Sequence, residues 1–211
     1  MKKRMLLLFA VVLMSAAAFS QGFGVRAGVT LQNITGEADG EDLESALQPG
    51  FHAGVFYEIS VASDFYFQPN LLFNMKGAKD DDIDANMNLG YIELPLHFLY
   101  KPQLGSGKII VGFGPYVAYG VTGKLKGDGD DVDIKFKNDL SLEEAIEMAT
   151  FETFYLKGLD AGADVFFGYE FPFNLSVQFM AQLGLINIFP KIDGEVPDNT
   201  SMKNIGFGLS L

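Results

Sequence analysis

The chain has 211 residues, 15 basic and 27 acidic, for a net charge of −12, and it contains no cysteine. That acidic balance argues against nucleic acid as a partner and against a basic membrane-surface anchor. The missing cysteines exclude a disulfide framework and any Cys-based metal or redox site. Glycine (24) and phenylalanine (20) are abundant and no tract is of low complexity, which fits a folded β protein rather than a disordered one.

The chain opens Met1-Lys-Lys-Arg4, runs apolar from Met5 to Ala18 and reaches Ala18-Phe19-Ser20-Gln21. A basic start, a short apolar stretch and small residues at −3 and −1 predict a secretory signal peptide over 1–20, cleaved after Ser20. The apolar run is shorter than the roughly 20 residues of a spanning helix. Removing Lys2, Lys3 and Arg4 takes the net charge from −12 to −15. The remaining 21–211 suits one domain. No later stretch is a helix-length apolar run, so any membrane insertion must be by strands.

Period-two alternation predicts eight strands. The first, 23–31, sets Phe23, Val25, Ala27, Val29 and Leu31 against Gly24, Arg26, Gly28 and Thr30. The second, 51–59, places His52 and Glu58 on its small or polar face, and the third, 65–75, places Gln68, Asn70 and Asn74 there. The fourth and fifth form a hairpin over 91–120. Here Ile92, Leu94, Leu96 and Phe98 oppose Glu93, Pro95 and His97, and Val111, Phe113, Val117 and Tyr119 oppose Gly112, Gly114, Tyr116 and Ala118. The sixth, 158–169, puts Asp160 and Asp164 opposite Leu159, Val165 and Phe167. The seventh, 175–186, puts Gln178 and Gln182 opposite Phe179 and Leu183, and the eighth is 203–211.

The connections alternate long and short, as in an up-and-down barrel with both termini at the short-turn end. No bulky-face position is charged. A Lys or Arg there would cost roughly 2–4 kcal/mol at mid-bilayer, so the pattern predicts an all-β, eight-stranded antiparallel transmembrane barrel with lipid outside. A soluble lipocalin-like ligand-binding barrel is the inverted alternative. Its surface would be rich in glycine and short of Lys and Glu, a poor solvated face. Prolines 69, 95 and 115 lie inside strands, where local bulges are expected.

The stretches Tyr91-Ile-Glu-Leu-Pro-Leu96, Gly112-Phe-Gly-Pro-Tyr-Val117, Asp160-Ala-Gly162 through Gly168-Tyr-Glu170, and Gly184-Leu-Ile-Asn-Ile188 occur in an order and spacing that resembles the small outer-membrane β-barrel proteins of the Bacteroidetes. These are the PorT-like branch of the OmpA-like barrel superfamily. The resemblance spans essentially all of 21–211 and implies a Gram-negative outer-membrane barrel, without implying a reaction. Outer-membrane lipid, the barrel-assembly machinery and a surface or secretion partner at the outer loops are the partners it implies. Two departures stand out: the last residue is Leu211 rather than an aromatic, and no peptidoglycan-binding domain follows the eighth strand.

The inward set carries Arg26, Glu58, Glu93, His97, Asp160 and Asp164, with Glu170 near the rim and His52, Gln68, Gln178 and Gln182 on the same face. Eight strands leave a lumen only wide enough for side chains, and buried charges are paired. These residues are therefore expected to form a structural lumen network rather than a catalytic site or an ion path. Arg26 is expected as the lone interior cation, with Glu93 and Asp160 as partners. An enzyme is not expected. His97 faces inward near the short-turn end, His52 is placed near the outer rim, and no strand-end Ser pairs with either. No cofactor or catalytic metal is expected.

The four long connections hold 21 of the 27 acidic residues. Asp80-Asp-Asp-Ile-Asp84 has the spacing with which a calcium loop begins, but Ala85 replaces the turn glycine and no Glu follows at the twelfth position. Ser141-Leu-Glu-Glu144 predicts a capping box opening a helix to about Thr150. Such a short helix is unstable unpacked, which favours a lid folded on the barrel mouth over a docking helix. The expected role is structural or surface interaction. The alternatives are a PorT-like helper of protein export and a narrow, porin-like channel.

Overall fold

A computed structural model describes residues 22–38, 40–43, 45–80, 85–127, 131–150 and 152–211. The leader predicted over 1–20 lies outside these residues, as do Asp39, Glu44, Asp128, Asp130 and the Asp81–Asp84 part of the calcium-like motif.

Among the described residues, eight long strands make the wall: β1 (Phe23–Ala38), β2 (Gln48–Tyr57), β3 (Phe65–Asp80), β4 (Ala85–Tyr100), β5 (Gly107–Lys126), β6 (Leu159–Glu170), β7 (Ser176–Gly184) and β8 (Ser201–Ser210). Each pairs antiparallel with its sequence neighbours. The last pairs with the first, from Gly28 opposite Ser210 to Glu37 opposite Ser201. The strands therefore pair in a ring, the arrangement a membrane-spanning sheet needs because hydrocarbon cannot satisfy unpaired N–H and C=O groups.

Alternation sorts the side chains as expected. Along β5, Val111, Phe113, Val117 and Tyr119 are exposed, while Gly112, Gly114, Tyr116 and Ala118 are buried. Val29, Leu71, Leu94, Val165, Phe179 and Leu209 continue the apolar exterior around the ring. Such a surface matches lipid rather than water. Inside, space is tight: a Cβ added at Gly112 would stand 2.2 Å from the Phe166 ring. The short turns contain Asp64, Gly105 and Asn174 at positive φ, residue types that tolerate the left-handed region.

Several strands run further than the alternation indicates. β1 continues to Ala38, β3 to Asp80, and β4 and β5 begin or end at Ala85 and Lys126. Lipid contact imposes the apolar alternation, whereas hydrogen-bonded pairing continues beyond it, where both faces are polar or packed by loops. The strand prolines also differ from expectation. The β3–β4 ladder skips from Pro69 opposite Leu96 to Leu72 opposite Glu93 with no residue inserted. The Asn70 side chain spans this gap, donating to Gln68 O (2.8 Å) and Pro95 O (3.3 Å). The bulges fall elsewhere, at Gly90/Tyr91 and Ser60/Ala62.

At the long-loop end the third connection folds over the opening. Residues Val132–Phe136 pair with the end of β5 and, in parallel, with Phe154–Leu156. Residues Asp139–Leu140 pair in parallel with Lys191–Ile192 of the fourth connection. Ile134, Leu156 and Ile188 thereby pack on Ile34, Leu89, Tyr91 and Tyr116 in one buried apolar cluster above the polar lumen.

Candidate functional site

The lumen is built in layers from the short-turn end upward. Lys101, just beyond β4, bonds Glu58 at 2.9 Å and also pairs with Glu170. Glu58 accepts a further bond from Gln68 Nε2 at 3.3 Å. Next, the Arg26 guanidinium donates to Gln68 Oε1 (3.0 Å) and Gln178 Oε1 (2.9 Å), and it lies 5.7 and 5.8 Å from the Phe56 and Phe166 ring centres.

Above this layer, His97 Nε2 lies 2.9 Å from Asp164 Oδ2, so this nitrogen carries the proton. Nδ1 is left to accept from Asn70 at 3.3 Å. Gln182 Nε2 joins Asp164 Oδ1 (2.9 Å) to Glu93 Oε1 (3.1 Å). In the last polar layer, Lys76 Nζ sits 2.8 Å from Glu93 Oε2 and 3.0 Å from Asp160 Oδ2, and 4.1 Å from the Tyr116 ring centre. Asn204 donates to Asp160 Oδ2 at 2.9 Å and Tyr116 OH lies 3.3 Å from the same oxygen.

The predicted residues Arg26, Glu58, Glu93, His97, Asp160 and Asp164 thus all face the lumen, but the partners of Arg26 differ from expectation. Glu93 and Asp160 are held by Lys76, which has 1% exposure and was assigned by sequence to an outer connection. Arg26 is not the lone interior cation, since Lys76 and Lys101 are also buried. It stands lower in the barrel, among two glutamine oxygens and two aromatic rings. The parity of β3 and β4 carries a usable signal. Lys76 continues the inward series 68, 70, 72, 74, and Lys101 continues 91, 93, 95, 97, 99.

His52 also differs from expectation. It sits mid-wall opposite Gly28, with Nε2 2.8 Å from Ser210 Oγ. The pair has the spacing of a base and a hydroxyl nucleophile, yet both groups are buried. The Gly28 backbone closes on the imidazole so tightly that a Cβ there would lie 2.6 Å from Cε1. The contact is a buried hydrogen bond across the wall. Among the described residues no group of three or more His, Asp or Glu side chains is placed to hold a metal ion.

Outside the barrel, α1 (Leu142–Ala149) carries the predicted capping box. Glu144 N–H donates to Ser141 Oγ, and Ser141 N–H donates to Glu144 Oε2 at 3.0 Å. Lys137 donates to the same carboxylate at 2.6 Å. These bonds, Lys137 first and the Ser141 backbone next, hold the Glu144 carboxyl below the ordinary glutamate range. The helix is not the expected inward-folded lid. None of its residues is buried, and Leu142 and Ile146 are 66% and 64% exposed. It is fastened instead by polar contacts, including Tyr155 OH to Glu147 Oε2 at 2.9 Å, so its apolar pair faces solvent.

A family model described as outer membrane protein beta-barrel domain matches residues 19–190. No curated protein matches the sequence. Among solved structures, the chain is similar to Ail, the attachment invasion locus protein of Yersinia pestis, crystallised in complex with the heparin analogue sucrose octasulfate. That similarity has 11% identity and a TM-score of 0.41, and covers 90% of this chain and 96% of that one.

Proposed function

We propose a role that starts from family membership: the chain belongs to the outer membrane protein beta-barrel domain family. It is an outer-membrane β-barrel protein, and our reading is that it serves as a sealed scaffold presenting an interaction surface at its long-loop end. In this reading the leader over 1–20 directs export and is removed, the short turns face the periplasm and the long connections face outward. The observation that carries it is the double closure of the lumen. Lys76 is clamped between Glu93 and Asp160, and the Ile134–Leu156–Ile188 cluster lies directly above. A conducting lumen needs a continuous wet path, and these layers interrupt it twice. What remains accessible is the loop end, with α1 and its exposed Leu142 and Ile146.

Reconstitution in a planar bilayer tests the sealed lumen: no steps of conductance are expected above the lipid baseline, and a stable open level overturns the reading. Deleting 142–149 tests the surface role. Loss of binding to host or neighbouring-cell surfaces with the barrel intact supports it, and unchanged binding removes α1 from it.

A further inference from the structure

The third connection carries apolar surface and negative charge in one place. From 138 to 156 the sequence holds Asp139, Glu143, Glu144, Glu147 and Glu152 and no Lys, Arg or His. Within this stretch Leu142 and Ile146 stand one turn apart on α1, so their side chains adjoin. They are 66% and 64% exposed, and exposed Glu143 and Ala149 border them. Hydrophobic burial alone would turn the pair inward. Three polar anchors on the rest of the helix oppose that rotation. Lys137 holds Glu144 at 2.6 Å, Tyr155 OH holds Glu147 at 2.9 Å, and the Ser141 cap holds the first turn. These bonds engage Glu144 and Glu147, whereas Glu143 lies exposed beside the apolar pair. At the other end, Thr150 N–H and Oγ1 donate to Ile146 O at 2.9 and 3.1 Å. No basic side chain lies in the last turn to offset the negative end of the helix dipole.

Charge selects among the occupants this face could take. A second copy of the chain brings the same acidic loop end, since the four long connections hold 21 of the 27 acidic residues, and like charges set against each other disfavour the pairing. Phosphate-bearing lipid headgroups have the same sign and are repelled in the same way. A basic segment is attracted. We infer that α1 docks a partner protein through a short basic segment: an apolar side chain seats on Leu142 and Ile146, and flanking Lys or Arg side chains meet Glu143 and the carbonyl end of the helix. The inference rests on the surface role proposed above and adds the chemistry of the partner.

The test uses the full barrel in zwitterionic lipid nanodiscs with 13C-methyl leucine and isoleucine. Three synthetic peptides are titrated: a lysine-rich peptide with two central leucines, its glutamate-rich counterpart, and the lysine-rich peptide with serines in place of the leucines. The first is expected to give saturable shifts at Leu142 and Ile146 that weaken as salt rises, and the other two none. Leu94, exposed on the lipid face, reports any partition of peptide into the bilayer. Ile146→Ser leaves the cap and both side-chain anchors in place and is expected to weaken binding about tenfold, the scale of one lost aliphatic contact. Glu143→Gln is expected to reduce the salt dependence. Unboiled electrophoretic mobility shows that each variant keeps its barrel. Equal binding of the serine peptide, or an Ile146→Ser isotherm that matches the parent, overturns the site and leaves a diffuse acidic rim. Equal binding of the glutamate peptide, tighter binding to phosphatidylglycerol vesicles, or self-association through Leu142 and Ile146 overturns the basic partner. If deleting 142–149 abolishes cell-surface binding while the lysine–leucine peptide does not bind, the surface role stands and the basic partner falls. If that deletion changes nothing at the cell surface, the surface role of α1 falls with it.

Discussion

Replacing Lys76 by Met removes the cation that holds Glu93 and Asp160 and leaves two carboxylates in a layer from which water is excluded. Each contact, at 2.8 and 3.0 Å, has a gross Coulomb energy of about 5–6 kcal/mol at an effective dielectric of about 20. Much of that offsets the desolvation of the three ions, and the cost of breaking a buried pair by removing one partner comes to about 3–5 kcal/mol. Asn74, Gln182, Tyr116 and Asn204 remain to solvate the carboxylates, which places the expected loss within that range rather than above it. The chain has no tryptophan, so unfolding is followed by far-UV circular dichroism in urea with the barrel in micelles. The variant carrying K76M, E93Q and D160N together removes all three charges and is expected to recover most of the loss, because neutral amides can share the remaining donors. A K76M deficit below about 1 kcal/mol, the size of an exposed pair, would refute the clamp.

Three further outcomes follow from the same structure. Val165→Arg puts a guanidinium on the exposed mid-wall of β6 and is expected to cost roughly 2–4 kcal/mol in bilayers, read from the same urea titration in liposomes. Gly112→Ala drives a methyl into the Phe166 ring, with an expected cost of about 1–3 kcal/mol. Adding Phe166→Ala should return part of it, a coupling that a double-mutant cycle measures. Ser141→Ala removes the cap of α1 and is expected to weaken that helix by about 1 kcal/mol, visible in amide exchange over Leu142–Ala149 while global unfolding stays unchanged. Because the Glu144 value is depressed in the folded chain, its contribution is present above the ordinary glutamate range and disappears as pH falls through the lower folded value. The Ser141 amide shift tracks that loss.

The wall was legible from alternation alone because lipid enforces it residue by residue: Val111, Phe113 and Val117 cannot exchange faces with Gly112, Gly114 and Tyr116 without exposing polar groups to hydrocarbon. The strand tips were not legible. Towards the tips, Lys76, Lys79, Asn86 and Asn88 interrupt the bulky apolar alternation, although the β3–β4 ladder runs on to Asp80 opposite Ala85. That is why Lys76 read as loop and Arg26 was given its carboxylates. The inward set itself was readable, but partners across the lumen depend on strand stagger, which determines that Glu93 meets Lys76 and that His52 meets Ser210. The helix was legible through its cap, since Ser141 and Glu144 act locally. Its exposure was not, because burial of Leu142 and Ile146 depends on where the third connection lies.

Cell fractionation followed by electrophoresis with and without boiling tests the barrel in its membrane most directly. The structure predicts an outer-membrane protein that migrates faster unboiled, as a closed, detergent-resistant barrel. A protein recovered free in the periplasm, with one mobility under both conditions, would contradict the lipid-facing assignment of the wall.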